Sequence, residues 1–302
     1  MHPAVTARIA AARAAERRSP ALAARIALPL FTRSLPTQTV RAHDAGVHDQ
    51  ARRSTIRVRG RDLAAYEWGS GADTILLAHG WRGRASQFAP VIRELRAEGF
   101  RLVAFDAPAN GDSPGRRTDI RDWLAAIEAL QSRHGRFHAI VGHSFGSLAA
   151  LTAVREGTAA GGVVAIAGMS SARHLVDAFA GGLQLGGRTA DALGSAFVAR
   201  VMPGLPEADV WDRFDAAAHP LPADVPLLVV HDRGDREVAV AEAERVHAAH
   251  GERSRLVLTS GSGHTRVIGS DAALDAVTAF ATGGLAAVDA AGLGRAAHQS
   301  RV

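Results

Sequence analysis

The chain has 302 residues and contains neither lysine nor cysteine, so all 35 basic residues are arginine. A P-loop, a pyridoxal Schiff base and a biotin or lipoyl attachment need lysine, while disulfides, thiolate nucleophiles, zinc knuckles and iron–sulfur clusters need cysteine. Covalent chemistry is left to Ser, Thr, Asp, Glu, His or the single Tyr66.

The net charge of +5 is uneven: residues 1–61 hold twelve arginines against Glu16, Asp44 and Asp49, and the remainder twenty-three against twenty-seven acids. Residues 1–50 read as a basic, partly helical arm. The arm lacks the aromatic interleaving and motifs of a nucleic-acid binder, so no nucleic-acid partner is expected. Arg17-Arg18 before Ala21–Leu30 faintly resembles an export signal, but Pro20 and Arg25 interrupt it and no clear cleavage site follows. An amphipathic helix over Ala21–Phe31 is expected instead. No run of about 18 uncharged apolar residues occurs, so no membrane-spanning helix is expected, and the expected location is cytoplasmic.

Beyond the arm, Ser54–Val58 and Leu63–Trp68 alternate as a hairpin would, and Gly69-Ser70-Gly71 makes a turn. Thr74–Ala78 is continuously apolar, as in a strand buried on both faces. Ala85–Glu98 carries Phe88, Val91, Ile92 and Leu95 at helical spacing. Then follow strand Leu102–Phe105, helix Asp119–Arg133, strand Phe137–Val141, helix Ser144–Arg155 and strand Val163–Ala167. Strand Leu227–Val230, helix Ala239–His250, strand Arg255–Leu258 and helix Ala272–Phe280 complete the pattern. Such alternation predicts a mostly parallel sheet flanked by helices, filling residues 51–282. A helical insertion over about 172–221 breaks the rhythm and is expected above the carboxyl edge of the sheet. Residues 283–302 read as an Ala/Gly-rich, mobile tail.

Gly142-His143-Ser144-Phe145-Gly146 matches G-x-S-x-G between a strand and a helix. The turn is so tight that the serine takes strained angles and its two flanking glycines admit no side chain. A serine nucleophile needs a base, and the base an orienting acid, in the chain order Ser, acid, His. Of fourteen histidines, His264 in Ser260-Gly261-Ser262-Gly263-His264 follows the last strand on a flexible loop and fits best. His231, at a strand end, fits a structural role, and His143 is expected to point away from the cleft. The acid lies in His231-Asp232-Arg233-Gly234-Asp235: Asp235 stands further out towards His264, whereas Asp232 suits local hydrogen bonding. Asp106, before Ser144 in the chain, fits a turn. For the oxyanion, the Phe145 amide and, after the turn at Gly80, the Trp81 amide are the expected donors.

These features together resemble the α/β-hydrolase fold family, in its lid-bearing, esterase-like and serine-aminopeptidase-like group. The matching segments are HGW at 79–81, FDAPANGDS at 105–113, GHSFG at 142–146, the HDRGD loop ending at Asp235 and GSGH ending at His264. The resemblance implies an eight-stranded sheet with a helical lid, a triad of Ser144, Asp235 and His264, and an oxyanion hole of Trp81 and Phe145 amides. One departure is visible: Ala109-Asn110-Gly111 stands where many relatives have Gly-His-Gly.

Serine at the elbow argues against the dehalogenase and epoxide hydrolase branches, which use aspartate there. The expected reaction is hydrolysis of an ester, thioester or amide of a small, partly apolar substrate, with no metal or cofactor. The alternatives are a non-catalytic binding protein on this fold, or a peptidase, C–C hydrolase, lyase or perhydrolase using the same triad.

Overall fold

The structure is a computed structural model that describes residues 3–32 and 37–294. It divides into two compact units, one of residues 3–32 with 171–215 and one of residues 37–170 with 216–294. Residues 1–2 and 33–36 of the expected arm and 295–302 of the expected tail lie outside the described residues.

The larger unit is built on eight strands: β1 (Arg52–Val58), β2 (Arg61–Trp68), β3 (Thr74–Ala78), β4 (Arg101–Phe105), β5 (Ala139–His143), β6 (Val163–Ile166), β7 (Leu227–Asp232) and β8 (Ser254–Thr259). They form one sheet in the order β1-β2-β4-β3-β5-β6-β7-β8, in which β2 alone runs against the others. β3, β5, β6 and β7 are buried at every residue, as their unbroken apolar runs require. The helices pack in pairs, Ala89–Ala97 with Asp271–Ala290 and Ile120–His134 with Phe145–Arg155. Leu76, Leu77, Ile92, Leu95, Trp123 and Phe105 are among the fully buried side chains between the layers.

The chain passes from β3 outward to β4 and returns to β5 on the other side of β3. The strand order therefore reverses at β3, and ligands bind open α/β sheets where the carboxyl ends of such strands part. There β3 runs into His79-Gly80-Trp81 and β5 into Ser144.

Several elements differ from the sequence expectation for visible reasons. The helix foreseen from Ala85 opens as a 3₁₀ turn, Ala85–Phe88, whose first amide is held by Asp106 Oδ1 at 2.7 Å. β5 starts two residues later than foreseen, because Phe137 makes only a single bridge to Ala160. Helix Ala42–Asp49, within the expected arm, docks on the sheet unit through a 2.7 Å bond from Trp68 Nε1 to the Val47 carbonyl. The chain does not trail away at Gly283. Gly283 and Gly284 kink the last helix, which continues to Ala290 with Val288 buried and Asp289 paired to Arg255 at 2.6 and 2.7 Å.

The smaller unit is all helical: Pro3–Glu16, Pro20–Phe31, Ala172–Gly182, Gly187–Val201 and Glu207–Arg213. Its core is made of small residues, Ala12, Ala24, Ala27, Ala180 and Ala190, around Val176, Leu185 and Leu193. Ser19 and Pro20 start the second helix, with Ser19 Oγ accepting from the Leu22 amide at 3.2 Å. Glu16 Oε1 accepts from the Gly186 amide (2.7 Å) and Thr189 Oγ1 (2.6 Å), capping Gly187–Val201, and Arg13 Nε donates to the Leu183 carbonyl at 2.8 Å.

Candidate active site

Ser144 adopts φ 54° and ψ −120°, between β5 and the helix that begins at Phe145. A side chain at Gly146 would meet the Ala78 carbonyl at 2.0 Å, and one at Gly142 the Gly146 carbonyl at 2.5 Å. Glycine at both positions lets strand and helix close around the serine. The strained conformation, costing about 1–3 kcal/mol, is borne by this packing.

Ser144 Oγ lies 2.9 Å from His264 Nε2, and His264 Nδ1 lies 2.7 Å from Asp235 Oδ2. A carboxylate only accepts, so the imidazole carries its proton on Nδ1 and turns a bare Nε2 towards the serine hydroxyl. His264 does not sit on an open loop; it opens a one-turn helix, Gly263–Arg266. The Asp235 side chain is fully buried, and its Oδ1 accepts from the amides of Glu237 and Val238 at 2.8 and 3.0 Å. Burial pushes this carboxyl up, but the bond from His264 and the two amides outweigh it and hold it below the ordinary value.

Asp232 stands apart from His264. It accepts from the Gly234 amide (2.8 Å), Thr259 Oγ1 (2.8 Å) and the Ser262 amide (2.9 Å), tying the Asp235 loop to the His264 loop. Burial raises its pKa, but these donors bring it down to about 2. His231 Nε2 donates to the Val238 carbonyl at 3.0 Å.

The loop after β3 passes close over the serine: a side chain on Gly80 would meet Ser144 Cβ at 3.0 Å. Two groups hold this loop that the sequence reading did not weigh in these roles. His79, fully buried, donates from Nδ1 to the Gly80 carbonyl (2.7 Å) and accepts the Ala107 amide at Nε2 (2.9 Å). Burial keeps it neutral, which this pairing of one donor with one acceptor requires. Asp106 grips the loop through the Ala85 amide and its own turn through the Asp112 amide, while Tyr66 Oη donates to it at 2.8 Å. No side chain fits at Gly111, 2.0 Å from the Asp106 carboxyl, so the Ala109-Asn110-Gly111 departure keeps that glycine, while Ala109 takes the left-handed conformation (φ 60°) at the position where relatives have the other.

The Trp81 ring stacks on Trp123 (6.0 Å, 15°) and meets Phe145 edge-on (5.4 Å, 84°), while Trp123 Nε1 bonds the His79 carbonyl at 2.9 Å. The two residues expected to offer amides to an oxyanion are thus packed side by side next to Ser144.

Comparison with known proteins agrees with this architecture. Structures similar in fold include an esterase of Pyrococcus furiosus (20% identity, covering 78% of this chain and 91% of that one, TM-score 0.56). A monoacylglycerol lipase of Paleococcus ferrophilus (19%, 67% and 90%, TM-score 0.52) and a puromycin-hydrolysing peptidase of Mycobacterium tuberculosis (18%, 76% and 38%, TM-score 0.55) are also similar. No curated protein sequence matches. The family model of the alpha/beta hydrolase family matches residues 75–293, from the first buried strand to the end of the last helix, and the chain belongs to that family.

Proposed function

We propose that this protein is a serine hydrolase that cleaves an ester, or a thioester or amide, of a small, partly apolar substrate through an acyl-enzyme. The observation that carries the reading is the hydrogen-bonded line Ser144 Oγ–His264–Asp235, with distances of 2.9 and 2.7 Å. Ser144 Oγ attacks the carbonyl carbon while its proton passes to His264 Nε2. The C–O π bond opens to an oxyanion, received by the amides of Trp81 and Phe145. The imidazolium is stabilised by Asp235 and returns the proton to the leaving group as that bond breaks. Water then repeats the cycle on the acyl-enzyme, freeing the acid and Ser144. The half-buried Trp81 ring in the loop over the serine, backed by the buried Trp123 and Phe145, supports a partly apolar substrate.

A fluorophosphonate probe is expected to label the protein, and Ser144→Ala to abolish labelling. A folded wild type that remains unlabelled overturns the reading. A panel of short and long acyl esters then defines the apolar portion.

A further inference from the structure

His143, the residue before the serine, was expected to face away from the chemistry. It is 4% exposed and makes two directed contacts. Its Nε2 lies 2.9 Å from the main-chain carbonyl of His264, and its Nδ1 lies 3.0 Å from Gln87 Nε2. A carbonyl oxygen only accepts, so the proton must sit on Nε2. That leaves Nδ1 as an acceptor, which the amide of Gln87 fills by donating. The opposite tautomer would set a lone pair against the carbonyl and two N–H groups against each other. Burial and the neighbouring His264 ring hold the pKa of His143 down to about 3, so it stays neutral through the range in which a catalytic histidine works.

The His264 carbonyl is the place where such a tie has leverage. His264 sits on one helical turn, Gly263–Arg266, entered through Gly261 and Gly263, both with positive φ. Its imidazole is fixed by Asp235, but its backbone is reached from the elbow only through His143 among the bonds described here. Gln87 belongs to the 3₁₀ turn just after the Trp81 loop.

We propose that His143 is a positioning residue that holds the main chain of His264 through Nε2–H and is itself held by Gln87, keeping base, nucleophile and the loop after β3 in register. The inference rests on the hydrolase reading. A misplacement of about 1 Å in a catalytic group costs up to about 100-fold in rate, which bounds the effect.

The test compares two isosteres in the full chain. In His143→Asn the amide can reproduce the Nδ1 contact but not the Nε2 donor; in His143→Gln the amide reaches the Nε2 position. With p-nitrophenyl acetate, His143→Asn is expected to lower kcat about 10- to 100-fold with KM within about twofold, and to slow fluorophosphonate labelling alike. His143→Gln recovers most of that loss, and Gln87→Leu falls between. Long-range ¹H–¹⁵N spectra of the wild type are expected to show His143 with a protonated Nε2 and a bare Nδ1, unchanged from pH 8 to pH 5. Equal losses in the two isosteres, a wild-type rate in His143→Asn, or a His143 that titrates in this range overturns the proposal. A folded wild type that neither labels nor turns over ester sinks the hydrolase reading instead, and the spectra alone then decide whether His143 holds the carbonyl.

Discussion

The sheet unit and the helical unit draw on the same alanine- and arginine-rich composition and bury it differently. In the sheet unit the layers are filled by large side chains, Leu76, Leu77, Ile92, Phe105 and Trp123, each with essentially no exposure. In the helical unit alanine does most of the filling, with Leu193 and Val176 as the larger members, and Phe31, Phe179 and Phe197 cluster at ring distances of 5.1 and 5.2 Å while half-buried. An alanine methyl withdraws little apolar surface from water, about 0.8 kcal/mol per carbon, against about 1.5–3 kcal/mol for a leucine or phenylalanine. Caps and ion pairs add to this in the helical unit: Glu16 on Gly186 and Thr189, and Arg173 on Asp177 and Asp191. Among the described residues, five of the six non-glycine residues with positive φ, Ser144 included, lie in the sheet unit and one, Gln184, in the helical unit.

Variants can break or sharpen this contrast. The largest effect is expected at the acid: Asp235→Asn should lower turnover about 10⁴-fold by leaving the base in the wrong tautomer, while Asp232→Asn does far less to the rate. The reverse order, measured in the same ester assay, would exchange the roles of the two acids. Next is Leu76→Ala, expected to cost about 4 kcal/mol in denaturant unfolding, against about 2 kcal/mol for Leu193→Ala, where small neighbours can close in. Equal losses would remove the distinction between the cores.

Asp232 gives a pH signature of the sheet unit. Its folded pKa of about 2 lies below its unfolded value of 3.8, so it stabilises the fold above pH 4. That contribution, ~2 kcal/mol, is lost as the pH falls towards 2. Asp232→Asn should flatten this acid limb in chemical denaturation at pH 2 to 5. The smallest effect belongs to Glu16→Ala, about 1 kcal/mol, seen as faster amide exchange in Gly187–Val201 with β3 unchanged.

The strands were legible because a doubly covered sheet writes its burial as unbroken apolar runs, and Thr74–Ala78 was read to the residue. The elbow was legible because its two glycines leave no alternative at 2.0 and 2.5 Å from neighbouring backbone. Asp232 and Asp235 differ in sequence only by position; what separates them in space is where their loop turns, and that is set by the bonds Asp232 makes to Thr259 and Ser262. His79 and His143 fall within the HGW and GHSFG segments, but their bonds to main-chain carbonyls were not legible, since a carbonyl partner leaves no mark on residue identity. Helix Pro3–Glu16 escaped notice because its alanines face both neighbours and solvent, which blurs any apolar stripe.

The return of the chain past Gly283 bears on how the two margins of the sheet are covered. A sheet's outermost strands offer unpaired amides and carbonyls to any other strand that drifts by, and such contacts seed fibres and precipitates. At one margin β1 carries Arg52, Arg53 and Arg57 on exposed positions, a row of ion pairs with Glu67, Asp112 and Asp62 that makes this edge charged rather than apolar. At the other, β8 has no such row; the last helix folds back on it, and the Asp289–Arg255 pair pins that cover in place. A chain cut after Gly283 would keep every group of the Ser144–His264–Asp235 line and lose the Asp289–Arg255 pin that holds this cover on β8.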